Sequence, residues 1–253
     1  MKKSMRGLRK STVGIEDSIR AFVTICDEAE ALIADREIEP TPIGDLSPIV
    51  DLFIAPSFDR NRVDRMSFKH LEEAVRGCSL CRLAETRIKT VFGTGVISPS
   101  LMVIGEGPGA DEDLQGEAFV GRAGKYLDAW LNAIGLSRTT GVYITNIVKC
   151  RPPNNRDPRI DEVASCLPYL ARQIRLLRPQ AILLLGRVAA HTLLQKTGPL
   201  SALRGTFHRY EGIPVLVTYH PAAVLRDLRL KRPVWEDLKK LASFLNIALP
   251  GRS

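Results

Sequence analysis

The chain has 253 residues, with 36 lysines and arginines against 28 aspartates and glutamates, a net charge of +8 and five cysteines. At 45% hydrophobic and 25% charged residues the composition is globular, which excludes general disorder, a collagen-like chain and a disulfide-dense mini-protein. No stretch reaches the roughly 18 apolar residues that a membrane helix needs. The basic start MKKSMRGLRKS is followed by no apolar segment of the secretory kind. The expectation is therefore a cytoplasmic protein with no membrane contact, whose basic balance favours a polyanionic partner.

In chain order, residues 1–10 carry five basic side chains and no acid. Residues 15–39 then carry eight acids, with Ile15, Ile19, Phe22, Val23, Cys26, Ala29 and Ile33 at helical spacing. Pro40, Pro42, Pro48 and Pro56 punctuate a stretch of little periodicity that reads as a linker ending near Asp64. This gives an extension over residues 1–65, whose protein partner the sequence does not identify, ahead of a domain over residues 66–253. From about Ser67, strand-length apolar runs occur at Leu101–Gly105, Val142–Asn146, Ala181–Gly186 and Val215–Thr218. Helical patterns lie between them. Leu127, Trp130, Leu131 and Ile134 follow i, i+3, i+4, i+7 and end at Gly135; further helices read at Val163–Leu177, Arg187–Gln195 and Pro233–Ile247. Strand runs without polar alternation predict strands buried on both faces, hence a parallel sheet covered by helices in a three-layer α/β fold. In such sheets ligands bind beyond the C-terminal ends of the strands.

The residues that follow the strands are the ones with chemistry. After the first strand comes Gly105-Glu106-Gly107-Pro108-Gly109-Ala110, with Asp111, Glu112 and Asp113 behind it. The glycines let backbone approach a ligand closely. A dinucleotide-binding reading of this loop is weak, because Pro108 removes a backbone N–H from the phosphate turn. After the second strand, Asn146 offers a donor and an acceptor on one amide. After the last, His220 opens the segment HPAAVLR and can donate a hydrogen bond or act in acid–base chemistry. The fold would bring Glu106, Asn146 and His220 to one rim.

Cys78 and Cys81 form a C-x2-C pair, and Cys150 and Cys166 follow at long spacing. Four cysteines in this split pattern satisfy either a tetrahedral zinc or an iron–sulfur cluster with all-thiolate ligands, and spacing alone leaves that choice open. Cys26 reads as an apolar-face thiol of the N-terminal helix.

CSLCRLAETR, GEGPGADEDLQGEAFVGRAG, TNIVKCRPPNNRDP and HPAAVLR, in this order, resemble the iron–sulfur uracil-DNA glycosylases, family 4 of that superfamily. The resemblance covers roughly residues 67–247. It implies an α/β/α sandwich around a four-stranded parallel sheet, with Cys78, Cys81, Cys150 and Cys166 holding a structural [4Fe–4S] cluster. It implies a DNA repair enzyme, expected to be monomeric, that flips uracil out of single- or double-stranded DNA and hydrolyses its N-glycosidic bond. His220 would donate to uracil O2, while Glu106, or failing that Glu112, would support the sugar cation and position water. Backbone from Gly107 would line the pocket, Phe119 would stack on the flipped base, and the Asn146 amide would read its N3–H and O4. Leu225 would wedge into the vacated stack; Arg226, Arg151 and Lys149, with Arg122, would hold phosphates. Because the Cys150–Pro158 loop lacks a basic insertion ending in His, turnover is expected rather than covalent trapping. The competing expectation is a non-catalytic or redox-responsive iron–sulfur DNA-binding protein.

Overall fold

The computed structural model describes residues 60–249, all of which fall within one compact unit. The readings of an acidic helix over residues 15–39, of Cys26 and of most of the linker lie outside the described residues. The two short helices α1 (Arg60–Asp64) and α2 (Phe68–Arg76) lead into α3 (Leu83–Thr86). Val63 of α1 is buried with Leu71, Val75, Phe92 and Tyr169, so the folded body takes in residues from the end of the stretch read as linker.

The core is a six-stranded sheet, formed by β1 (Thr94–Gly95), β2 (Leu101–Gly105), β3 (Val142–Asn146), β4 (Ala181–Leu185), β5 (Phe207–Tyr210) and β6 (Ile213–Thr218) in the order β1-β3-β2-β4-β6-β5. The four expected strands form its parallel centre, β3-β2-β4-β6. The edges β1 and β5 are antiparallel additions. They escape a periodicity search because β1 has only two residues and β5 alternates between exposed and half-buried positions. β5 joins β6 through Glu211-Gly212, both at positive φ (45° and 82°), which is the two-residue hairpin turn that suits twisted strands.

Every residue of β2, β3 and β4 is buried, because both faces are covered. The side chains alternate between two layers. Leu101, Val103, Val142, Ile144 and Leu183 face α5 (Arg122–Ala133) and α10 (Lys231–Phe244). Met102, Ile104, Tyr143, Ile182 and Leu184 face α6 (Ile160–Leu177) and α7 (Arg187–Leu194). α6 stops where Arg178 turns left-handed (φ 45°) just before Pro179. The remaining helices are α4 (Ala110–Gln115), α8 (Leu200–Leu203) and α9 (Pro221–Arg226). No helix among the described residues is long and apolar enough to cross a membrane.

One buried ion pair fixes α10 to the end of β6. The Asp237 carboxylate, with no exposed surface, accepts from Thr218 Oγ1 at 2.6 Å and from Arg204 Nε and Nη2 at 3.0 and 2.8 Å. Arg204 also donates to the Pro233 carbonyl and lies over the Tyr219 ring. It thus packs between α10 and the residues that end β6. Truncating Asp237 to Ala would leave the Arg204 charge without its partner. The expected cost is about 3 kcal/mol, the lower end for breaking a buried pair because Arg204 keeps some solvent contact. A urea denaturation curve checks this, and a loss below about 1 kcal/mol would contradict the assigned role.

Candidate functional site

The connection from β2 to β3 runs one way along the sheet, and the next, from β3 to β4, crosses back to the other side of β2. That reversal opens a crevice at the C-terminal ends of the strands. β2 and β3 pair in register to their last residues, Gly105 opposite Asn146. The pairing continues past the sheet: Ile147 N–H donates to the Gly105 carbonyl at 2.9 Å and Val148 N–H to the Glu106 carbonyl at 3.1 Å. Glu106 and Asn146 therefore leave the sheet side by side.

Four of the expected residues meet there. A Cβ on Gly105 would sit 2.5 Å from both Asn146 Oδ1 and Phe119 Cζ, so only glycine lets these two side chains converge. The Phe119 and His220 rings lie 5.6 Å apart at 33°. Gly186, at φ +87° after β4, has room for a Cβ only against the His220 side chain, at 3.2 Å. Asn146 is 1% exposed, and neither its Oδ1 nor its Nδ2 has a partner. Leaving a buried amide unpaired costs about 1–3 kcal/mol. Both halves of this amide could pair with a group that presents one donor and one acceptor on the same edge.

The ionisable groups at this rim are held near neutrality. Burial, aided by the nearby Arg226 charge, pushes His220 down to about 4, so its imidazole is neutral at pH 7. Its Nδ1 accepts from Ala222 N–H at 3.2 Å at the start of α9. The neutral ring must then carry its proton on Nε2. Burial pushes Glu106 up to about 7; Asp157 adds to the rise and Arg187 opposes it. Asp157 and Arg187 pair with each other at 2.7 Å, and neither was singled out from the sequence. Each is an exposed charge in a loop or at a helix start, with no local pattern to mark it.

Two expectations change. Glu112 does not supply a free carboxylate. Its Oε2 accepts from Gly109 N–H at 3.0 Å, and its Oε1 from Val120 and Gly121 N–H at 2.9 Å each. It locks the loop between α4 and α5 to the start of α4, as a glutamate at the third helical position often does. Lys149 cannot reach a phosphate, being 1% exposed. Its Nζ donates to Thr145 Oγ1 at 2.5 Å and to the Asn146 carbonyl at 2.8 Å. Asp113, the neighbour of Glu112, is buried too and accepts from Ile88 and Lys89 N–H at 2.9 and 3.2 Å. Arg226 and Arg122 are exposed. Leu225 and Arg151 are half-buried, and Arg151 Nε donates to Asn155 Oδ1 at 2.8 Å. Gly107 follows Glu106 with its Cα facing Val148 and Pro152.

Phe119 itself is 5% exposed and adopts φ 55°. A left-handed conformation costs a non-glycine residue roughly 1–2 kcal/mol, so the surrounding bonds have to hold it.

A second cavity lies behind the β3 end. Cys78, Cys81, Cys150 and Cys166 all line it, with Arg87, Lys149 and Tyr169. Cys166 sits nearly two turns into α6, whose start is fixed by the buried Glu162, bound by Arg156 at 2.6 and 2.8 Å and by Arg159 N–H at 2.7 Å. Arg87 bridges two of the cysteine segments, donating to Cys150 Sγ at 3.2 Å and to the Cys78 carbonyl at 2.6 Å. Lys149 N–H donates to Cys166 Sγ at 3.2 Å. Burial pushes Cys81 up to about 11 and Cys166 up to about 12. Among the described residues no group of three or more His, Cys, Asp or Glu is drawn together as a single-ion site.

Replacing Asn146 with Leu removes two unsatisfied buried atoms and no hydrogen bond of its side chain. The variant should be more stable than the parent by about 1–3 kcal/mol. Thermal or urea unfolding tests this; a variant less stable than the parent would mean the amide has a partner in the folded protein.

Residues 92–239 match the family model of the uracil DNA glycosylase superfamily. Among curated proteins, the chain is 43% identical over 185 residues to a type-4 uracil-DNA glycosylase of Saccharolobus solfataricus, spanning 70% of this chain and 85% of that one. It is 42% identical over 181 residues to the type-4 uracil-DNA glycosylase of Pyrobaculum aerophilum (68% and 92%), and 41% identical over 184 residues to that of Sulfurisphaera tokodaii (69% and 83%). The family model spans more than half of the chain and these relatives are more than 40% identical, so the chain belongs to the uracil-DNA glycosylase superfamily and, within it, to the type-4 enzymes.

Proposed function

We propose that this uracil-DNA glycosylase reads the flipped base with the Asn146 amide and expels it as an anion stabilised by a neutral His220. The observation that carries this is the unpartnered, buried Asn146 amide beside Gly105 and the Phe119 ring, which in turn lies against His220. Uracil presents an N3–H donor and an O4 acceptor on one edge, the complement of that amide. Cytosine presents the opposite pattern, and would leave the amide facing like groups. A flipped base costs a few kcal/mol to unstack, and the Phe119 ring offers a surface on which to restack it.

Breaking the N-glycosidic bond leaves positive charge on the sugar and negative charge on uracil O2. His220 suits the second task, because its Nε2–H is fixed by the Nδ1 bond to Ala222 and needs no proton transfer to donate. Glu106 suits the first, and as an anion it can also orient the attacking water. Leu225 and Arg226 on α9, next to His220, are the residues offered for the vacated stack and a flanking phosphate. Arg122 and Arg151 are further phosphate candidates.

The four-cysteine cavity offers four soft thiol donors, a set that suits an all-thiolate iron–sulfur cluster. Cys78, Cys81, Cys150 and Cys166 would hold a [4Fe–4S] cluster, which would tie the segment before the sheet to the loop after β3 and take no part in hydrolysis. A visible absorption band near ~400 nm in purified protein would support the cluster; a colourless protein containing zinc would reject it.

A uracil-containing oligonucleotide incubated with the protein should yield alkali-labile abasic sites. His220→Ala should slow single-turnover excision by about 10²–10³-fold, the usual loss for one donor to a developing anion. Asn146→Leu should lose excision while remaining folded. Unchanged rates in both variants would refute the assigned roles.

The pH dependence has a definite sign. If the Glu106 anion is the active form, excision should rise with pH through about 7, while His220, at about 4, adds no limb near neutrality. Glu106→Gln should abolish that rise. Because Glu106 sits above the ordinary carboxylate value of about 4.3, its contribution to stability is fully present below that value and is lost as pH climbs through about 7. Glu106→Gln should thus melt above the parent at pH 8, with the gap closing towards pH 5. A gap independent of pH would show that Glu106 titrates normally.

A further inference from the structure

Arg138 lies in the short link between α5 and β3, outside every motif, yet it reaches back to the loop that carries Phe119. Its Nη1 donates to the Ala118 carbonyl at 2.5 Å and its Nη2 to the Phe119 carbonyl. Its Nε is held by Asp128 of α5 at 2.7 Å, and the side chain is 21% exposed. From the other side, Glu112 takes the N–H groups of Val120 and Gly121. Four consecutive residues, 118–121, are thus gripped by a cation through their carbonyls and by a carboxylate through their amides. Gly124 completes the grip, since a Cβ there would overlap the Phe119 carbonyl.

Such a grip has a purpose only if the main chain would otherwise relax. Phe119, at φ 55°, is in a conformation that L-residues with large side chains rarely adopt, and one that persists only when its surroundings over-determine it. Relaxing φ to a negative value would swing the ring away from Gly105, Asn146 and His220. We infer that Arg138 is a positioning residue for uracil excision: by holding the Ala118 and Phe119 carbonyls it fixes the main-chain turn that presents the Phe119 ring to the flipped base. This rests on the stacking role proposed for Phe119. Arg138 touches neither base nor sugar and acts through Phe119 alone.

The test is a double-mutant cycle on the full chain with Phe119→Leu, Arg138→Gln and the pair combined. Single-turnover excision of uracil is read, together with affinity for a duplex lacking uracil. Each single variant should slow excision roughly tenfold or more, and the double variant should be within about twofold of the slower single one. Affinity for the uracil-free duplex should not change, because no phosphate contact is removed. If Phe119→Leu excises at the parental rate, the stacking reading falls and the inference with it. If Phe119→Leu is slow but Arg138→Gln is not, or if the two losses multiply in the double variant, the Arg138 inference is overturned and the stacking reading stands. Arg138→Lys, which keeps the charge but can hold only one carbonyl, takes the place of the glutamine variant in the same cycle if the latter does not fold, with the same outcomes deciding.

Discussion

Parallel pairing of β2 and β3, in register to the last residue and then two hydrogen bonds beyond it, is the constraint on which the rest of the structure depends. It sets Gly105 against Asn146, brings Glu106 out beside them, and carries the chain directly to Lys149 and Cys150. A one-residue slip would turn Asn146 onto the opposite face and take Cys150 out of the cavity it shares with Cys166. The register is in turn specified by burial on both faces: Val142 and Ile144 enter one layer and Tyr143 the other, with no polar face to tolerate an alternative.

The rim built on that register avoids charge. The imidazole of His220 is neutral because it is buried, the Glu106 carboxyl is held near its neutral form, and the Asn146 amide has no formal charge. Of the three, only Glu106 can carry charge near neutral pH. A neutral, preorganised donor interacts little with a neutral base and more strongly with the anion that leaves, which is the differential that lowers a barrier. The unpaired amide and the left-handed Phe119 are both unfavourable in the free protein. Such departures from stability concentrate at sites where function requires them.

The strands of the parallel centre were legible because they are continuous apolar runs bounded by Gly or Asn; Leu101–Gly105 and Val142–Asn146 have the bounds expected. The edge strands were not, since one has only two residues and the other is a four-residue strand with no buried position to mark an apolar face. The convergence of Glu106, Asn146, Phe119 and His220 was legible from strand ends and motif resemblance together. Residue type misled where burial decides the role. Lys149 looked like a phosphate ligand but is enclosed by the β3 end, and Glu112 looked like a second catalytic carboxylate but is consumed by three backbone amides. Arg138 and the Asp157–Arg187 pair had no signal at all, since their partners are distant in sequence and known only once the loops are in place.

Lys149 has one further consequence. Its main chain binds Cys166 and its side chain binds the Asn146 carbonyl and Thr145, so one residue is shared between the cysteine cavity and the end of β3. The two regions cannot be exchanged as separate modules. A graft of this rim onto a relative that lacks the cysteine loop would lose the donor at the Asn146 carbonyl, and a trimmed cysteine loop would loosen the strand end from behind. Any redesign of either region has to treat residues 145–166 as a single inherited block.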